Sequence, residues 1–500
     1  FAATALVAPV QRVNRADEGW MLWVMDRVAH GDVLYRDVYD VTTPLPAWFG
    51  AAVVDVTGSE LMVLRLLVAA VVAAMVVTAC SIARRAGMQW RGQIVLAVAL
   101  IACASPMLVF MSFYTACAVL GALLALRALQ WLLDRSERGA GTVPPLVWIG
   151  VATALSFWCK PNIGLLALAA VVVTLAVDGG RAWRTSARAG GIVLGVFAAV
   201  GVVLSTILAA TGAWSAFVDQ VFREKREYLD VGFSFATAVE RRGDALTSVD
   251  PIDTRAIVWL LVLATPVVVA AALGWACWRA RRHLDARLVG FVGFGVVGIL
   301  GAVPRPGVDH LGSTLPLMVT AAAGAVLSVP EYGPPQRARR GLLVASAALA
   351  GVAALIVAGA ALDTPSSAKL VTDAPYFSGV PVPRVVATRA KRLKAGLAEH
   401  TDGEVFFVRR DAGFLHFLTG THNPLPYDIA ERSDFGSAGE AGVIRRLRNG
   451  AAPWVCLEPA RIKRDGTDPL VPRALERWVR ANGELTALLP MCDLYRLASR

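Results

Sequence analysis

The sequence predicts an α-helical polytopic membrane protein that ends in a small C-terminal α/β domain. Three observations carry that prediction. The 500 residues are 56% hydrophobic, with a mean hydropathy of +0.56, more apolar than an ordinary soluble domain. Apolar runs of about twenty residues recur, each long enough to cross a bilayer; examples are "MVLRLLVAAVVAAMVVTACSIA", "GIVLGVFAAVGVVLSTILAA" and "GLLVASAALAGVAALIVAGAAL". Lipid offers backbone polar groups no partner, so such runs must be helices. Finally, arginines cluster between alternate runs, the charge pattern of cytoplasmic loops.

The elements follow in order. "FAATALVAPV" reads as the tail of a first span, with no basic segment or cleavage site marking a signal peptide. A polar stretch, 11–60, comes next. The second span ends at Arg84, Arg85 and Arg91, and spans near 92–110 and 113–133 lead to Arg135 and Arg138. A pair near 146–159 and 162–178 ends at Arg181, Arg184 and Arg188. The span near 191–213 opens into a polar loop, 214–255; the next, near 256–278, ends at Arg279, Arg281, Arg282 and Arg287. Spans near 288–303 and 311–329 lead to Arg337, Arg339 and Arg340, and a last span lies near 341–361. That makes about eleven spans, counting the partial first one.

The five Arg clusters agree in parity, which assigns them to the cytoplasm. The intervening segments then face outward: the first outer loop 11–60, Lys160, the outer loop 214–255, Arg305 with His310, and the tail 362–500. Residues 1–361 form the membrane domain. The net charge of +11 lies largely in the loop clusters, so it argues for membrane orientation and against a nucleic-acid partner. Richness in Ala, Val, Gly and Arg points to a GC-rich bacterial genome.

In the tail, "EVFFVRR", "PWVCLE" and "CDLYRL" read as strands. "AGVIRRLRN" and "PRALERWVRANG" have helical spacing, ended by Asn449 and Gly483. Alternating strands and helices predict a small α/β domain. It could bind an acceptor, cover the active site or only stabilise the bundle. Of seven cysteines, five lie in apolar segments; Cys456 and Cys492 lie in the tail and could pair if the tail is extracytoplasmic.

The first outer loop holds the densest chemistry. Asp17 and Glu18 precede "GWMLWVMDRVAHG", which has the spacing of an amphipathic helix at the interface, with Trp20 and Trp23 as anchors. "GDVLYRDVYD" adds Asp37 and Asp40, and "TTPLP" returns the chain toward the membrane. These carboxylates could do acid/base work, hold a cation, or merely solvate the loop. Lys160, in "FWCKPNIG", suits a phosphate or a snorkelling role. Arg305 and His310, in "GAVPRPGVDHLGSTLP", could bind phosphate oxygens or anchor the turn in headgroups. "FVDQVFREKREYLDVGFSF", with Arg223, Lys225 and Arg226, reads as a second interfacial helix. Gly293, Gly295 and Gly298 match GxGxxG inside an apolar span, where small-residue helix packing is the better reading. The histidines show no zinc-ligand spacing, and there is neither a CxxC nor a P-loop.

An acidic pair after the first span, an interfacial helix, then "GDVLYRD" and a proline-bearing return resemble the GT-C superfamily of integral-membrane glycosyltransferases. "CKPNIG", "PRPGVDHLGSTLP" and "FLTGTHNPLPYD" are similar to the same group, which includes dolichyl-phosphate-mannose protein mannosyltransferases and bacterial aminoarabinose transferases. The resemblance implies an inverting hexosyl or pentosyl transferase of the bacterial cytoplasmic membrane, active on its outer face. The donor would be a polyprenyl-phosphate sugar, and the acceptor an envelope glycan, lipid or protein. Asp17 would be the base, and Glu18 would orient the acceptor or a metal. Lys160, Arg305 and His310 would bind the lipid phosphate, and Asp37 and Asp40 match acidic positions of substrate binding. No cofactor is certain, and a divalent metal stays open. The sequence leaves two competitors: a flippase or transporter of lipid-linked sugars, which would carry its charges at mid-span, and a scaffold for envelope synthesis.

Overall fold

The computed structural model describes residues 16–104, 113–178, 183–224, 254–281, 285–302, 308–329, 370–371, 380, 382–459 and 470–498. The predicted first span, the last span near 341–361, Arg305, Lys225 and Arg226 lie outside the described residues.

The first outer loop is two helices, α1 (Asp17–Ala29) and α2 (Pro44–Thr57). The first was expected. The second occupies what the sequence suggested was loop, because Pro44 and Pro46 open a helix as readily as they break one. The bundle follows: α3 (Leu61–Arg85), α4 (Trp90–Ala104), α5 (Phe113–Glu137), α6 (Val143–Cys159), α7 (Pro161–Asp178) and α8 (Trp183–Ala210). A short helix, α9 (Trp214–Val218), runs into a π-helical turn, Asp219–Arg223, where the second interfacial helix was expected. Then come α10 (Thr254–Arg279), α11 (Ala286–Gly301) and α12 (Val308–Leu327). Among the described residues, five helices are long and apolar enough to cross a membrane, and the chain is an integral membrane protein.

Small residues set how closely the helices approach. A Cβ on Gly293 would meet Ala170 of α7 at 2.9 Å, one on Gly295 would meet Leu273 of α10 at 2.5 Å, and one on Gly298 would meet Met318 of α12 at 2.6 Å. The GxGxxG triplet is thus the surface on which α11 receives three neighbours, as its apolar setting implied.

Three Arg-rich turns gather at one end of the bundle. Arg85 pairs with Asp134, and Arg287 bridges Asp134 at 2.8 Å and Glu137 at 2.8 Å.

The tail is α/β. Helices α13 (Arg384–His400), α14 (Ala412–Thr419), α15 (Gly439–Arg448) and α16 (Arg473–Asn482) accompany two sheets. Strands β1 (Leu370–Val371) and β2 (Val382–Pro383) make a minor antiparallel pair. The main sheet contains β3 (Phe406–Val408), β4 (Trp454–Leu457), β5 (Gly483–Leu489) and β6 (Cys492–Leu497), in the order β3-β4-β6-β5. β3 and β4 are parallel, and the other pairs are antiparallel. The three expected strands and both expected helices are present. β5, α13 and α14 went unread: β5 has the polar and exposed residues of an edge strand, and α14 is apolar on nearly every side because it is buried on nearly every side. Cys456 and Cys492 form a disulfide across neighbouring strands, their Cα atoms 5.4 Å apart.

Candidate active site

Asp17 is the first residue of α1 and is half-buried. Glu18 beside it is fully buried and makes a two-pronged ion pair with Arg65 of α3: Nε to Oε1 at 2.7 Å and Nη2 to Oε2 at 2.9 Å, both side chains wholly inaccessible. Successive helical residues point about 100° apart. With Glu18 turned onto Arg65, Asp17 is carried to another side of the helix. Arg65 was a signal passed over, a lone guanidinium inside "MVLRLLVAAV", where a charge needs a partner.

One turn on, α1 receives the tail. A Cβ on Gly19 would meet Cβ of Phe414 at 2.5 Å, and one on Gly413 would meet Cα of Trp20 at 3.0 Å. This pair of glycines lets α14 lie directly on α1. Trp23 and Arg27, four residues apart and so on one helical face, then reach Asp428 of the tail. The Trp23 indole N–H donates to Asp428 Oδ1 at 3.0 Å, and Arg27 Nη1 donates to both carboxylate oxygens at 3.1 Å. Asn423 Nδ2 adds a fourth bond at 2.9 Å. Arg27 also holds Asp32 Oδ2 at 2.6 Å and the carbonyl of Asp37 at 2.9 Å. Burial is the largest influence on Asp428 and raises its pKa from the ordinary value, although Arg27, Asn423 and Trp23 pull the other way. Burial alone would lower Arg27, but Asp428 and Asp32 more than offset it and leave that pKa raised. "NPLPYD" is thus a loop, as expected, and its final aspartate is the hub that joins tail to outer loop.

Asp37 and Asp40 shape the first outer loop. Asp37 pairs with Arg36 at 2.8 Å and accepts from the amide of Val33 at 2.8 Å; its pKa is lowered, chiefly by the Arg36 hydrogen bond. Two residues before Asp37, Tyr35 has φ +71°, a conformation costly for a bulky side chain. It is held by its amide bond to the Val38 carbonyl at 2.8 Å and by its hydroxyl bond to the Thr42 carbonyl at 2.7 Å. Asp40 is buried, accepts from the amide of Thr42 at 2.6 Å, and donates its own amide to Gln220 Oε1 at 3.0 Å. Gln220 in turn donates to the Tyr35 carbonyl at 2.8 Å, so the π-helical turn clamps the loop. The Tyr35 ring packs edge-on against Phe217, which stacks on Trp158, two residues before Lys160.

Lys160 caps α6 in an extended conformation, and Pro161 begins α7. Its Nζ donates to Thr115 Oγ1 at 3.2 Å and to the Gly301 carbonyl at 3.1 Å, and lies 5.7 Å from the Tyr114 ring centre. Gly301 is the last residue of α11, where helix carbonyls favour a cation. Lys160 therefore sits against Gly301, four positions before Arg305 in the sequence. His310 lies half-buried in the first turn of α12, its carbonyl accepting from Thr314 at 3.2 Å. Among the described residues, no group of three His, Cys, Asp or Glu side chains could hold a metal ion.

Comparison with solved structures bears on this arrangement. The archaeal oligosaccharyltransferase AglB from Archaeoglobus fulgidus, in complex with an inhibitory peptide and a dolichol-phosphate, superposes with a TM-score of 0.54 at 9% identity, over 91% of this chain and 68% of that one. The chain has the GT-C fold. ArnT from Cupriavidus metallidurans, in the apo state, matches over 100% of this chain and 96% of that one at 13% identity and a TM-score of 0.48. The arabinofuranosyltransferase AftD from Mycobacteria matches over 100% of this chain and 39% of that one at 15% identity and a TM-score of 0.47. No protein-family model and no curated protein sequence matches the chain.

Proposed function

We propose that this chain is a GT-C glycosyltransferase that moves a sugar from a polyprenyl-phosphate donor to a hydroxyl of an envelope acceptor, with inversion. The observation that carries the reading is an acidic residue, Asp17, held at the start of a helix by the buried Glu18–Arg65 pair within a GT-C fold. The resemblance noted in the sequence puts the base at this position, and the fold of AglB, solved with a dolichol-phosphate, supports a lipid-phosphate donor.

The step balances without a nucleotide. The acceptor oxygen attacks the anomeric carbon, and its proton passes to the Asp17 carboxylate. The bond from anomeric carbon to phosphate oxygen breaks, and the polyprenyl phosphate leaves as an anion that cations stabilise. Lys160, Arg305 and His310 are assigned to that phosphate; the bond from Lys160 to the Gly301 carbonyl, four positions before Arg305 in the sequence, supports grouping them. Glu18 is a positioning residue, and Asp37 and Asp40 shape the loop beneath the substrate.

In this reading residues 1–361 form an eleven-span membrane domain and 362–500 an extracytoplasmic domain of a bacterial inner-membrane protein. The gathering of three Arg-rich turns at one end and the Cys456–Cys492 disulfide support that sidedness, since disulfides persist in oxidising compartments.

The test is transfer by the purified chain in proteoliposomes, with radiolabelled polyprenyl-phosphate hexoses and pentoses as donors and a cell-envelope extract as acceptor. Transfer that is lost in Asp17→Asn supports the reading. Equal transfer by both proteins removes Asp17 as the base. Donor translocation across the bilayer without transfer favours the flippase.

A further inference from the structure

A cavity of about 600 Å³ lies where the far ends of α1 and α2 meet the tail, lined by residues that include Trp23, Asp26, Asp55, Ser59, His416 and Phe417. A pocket of this size holds a ligand of several rings. On α1 its lining residues stand six to twelve positions beyond Asp17, about 9–18 Å along the helix axis. It is therefore set apart from the base while lying on the same helix.

The hydrogen-bond chain behind the cavity defines what it offers. Thr419 Oγ1 is 2.6 Å from the Leu415 carbonyl, so its hydroxyl must donate there. Thr419 Oγ1 then accepts from Thr421 Oγ1, 2.8 Å away. With its own hydrogen spent, Thr421 Oγ1 accepts from His416 Nδ1 at 3.0 Å. Nδ1 therefore holds the ring proton, and Nε2 is a bare acceptor. His416 is wholly buried, and among the described residues its Nε2 has no hydrogen-bond partner. An unmet buried acceptor costs about 1–3 kcal/mol, and His416 is one of the residues that line the adjoining cavity. The ring is fixed by stacking on Trp23 at 5.2 Å and by the edge of Phe407 at 4.7 Å.

The rest of the wall is polar. Asp26 and Asp55 are acceptors, His30 and His422 stand beside them, and the lining holds no Lys or Arg among the described residues. Ser59 Oγ donates to Asp26 and ties the two helix ends together. A wall rich in acceptors and free of fixed cations repels phosphate and selects a ligand rich in donors. Trp23 and Phe417 supply an aromatic side, which suits the apolar face of a sugar ring.

We propose that this cavity binds a neutral, hydroxyl-rich sugar unit of the acceptor, remote from the hydroxyl that reacts. The assignment rests on the transferase reading for the word acceptor, but its test is binding without donor. The full chain in lipid nanodiscs is titrated by calorimetry with maltohexaose, xylohexaose, spermine and inorganic phosphate. One of the neutral oligomers should bind, and His416→Phe and Asp55→Asn should each weaken it about tenfold, the loss of one hydrogen bond to a buried or charged acceptor. Asp17→Asn should bind unchanged while losing transfer, which separates failure of the cavity from failure of the base. Asp55 is exposed at a helix end, so its variant keeps the test valid if His416→Phe fails to fold. Absence of binding by both oligomers, equal affinity in both cavity variants, or displacement by spermine or phosphate overturns the proposal.

Discussion

The two ends of the molecule both carry guanidinium–carboxylate pairs and use them differently. At the Arg-rich end, Arg85, Asp134, Arg287 and Glu137 keep 15–65% of their side-chain surface exposed. At the other end, Glu18 and Arg65 are fully inaccessible, and Arg27 and Asp428 nearly so. Exposed pairs contribute little, because water and salt screen them. Buried pairs contribute little net stability against apolar replacements, yet removing one partner strands a charge at a cost of about 3–5 kcal/mol. The first kind joins helix ends at the edge of the bundle. The second kind sets geometry, and the candidate base is mounted on it.

The largest effect expected from breaking this contrast is on turnover. Asp17→Asn should lower transfer by roughly 10²–10⁴-fold, the ordinary worth of a general base, with thermal stability unchanged. Asp134→Asn at the opposite end should leave transfer at the wild-type rate in the same proteoliposome assay.

Arg65→Met should come next, destabilising the fold by about 3–5 kcal/mol by stranding Glu18. Thermal unfolding in detergent would register this as a lowered midpoint, and Glu18→Gln combined with Arg65→Met should recover much of it. A single variant as stable as wild type would mean that Glu18 is not confined by Arg65.

The tail junction adds a pH term. Burial holds the His416 pKa down to about 3, against 6.5 when unfolded. The unfolded chain therefore takes up a proton between those values and the folded chain does not. The stability due to neutral His416 is complete above about pH 6.5 and is lost on acidification, by about 1.4 kcal/mol per pH unit. The gap between unfolding midpoints at pH 7.5 and pH 5 should shrink in His416→Phe; an unchanged gap would exclude His416 as its source.

The smallest effect is expected at the exposed pairs. Arg287→Ala should cost under about 1 kcal/mol, and less in high salt. A larger loss, insensitive to salt, would erase the contrast between the ends.

Much of the fold was legible in the chain. Helix ends fell near Arg84, Arg135 and Arg279 because a charge at the edge of an apolar run marks where lipid stops. The strands "EVFFVRR", "PWVCLE" and "CDLYRL" showed themselves as short apolar runs between turn residues. The helix α2 was hidden by its prolines, and β5 by its exposure. Of the candidate site, the positions of Asp17, Glu18 and Lys160 at segment boundaries could be read, but not their company. Trp23 looked like an interfacial anchor, and its indole is instead spent on Asp428.

The sequence by itself determined which segments are apolar helices, where they break, and that the acidic pair follows the start of the chain at a boundary. These are local properties, set by hydropathy over one turn or one span. Only the tertiary structure decided that Glu18 belongs to Arg65, 47 residues away, and that Trp23 belongs to Asp428, 405 residues away. Pairing is a matter of which faces pack. A one-residue turn of α1, or a side chain on Gly19 or Gly413, would send the same carboxylates elsewhere.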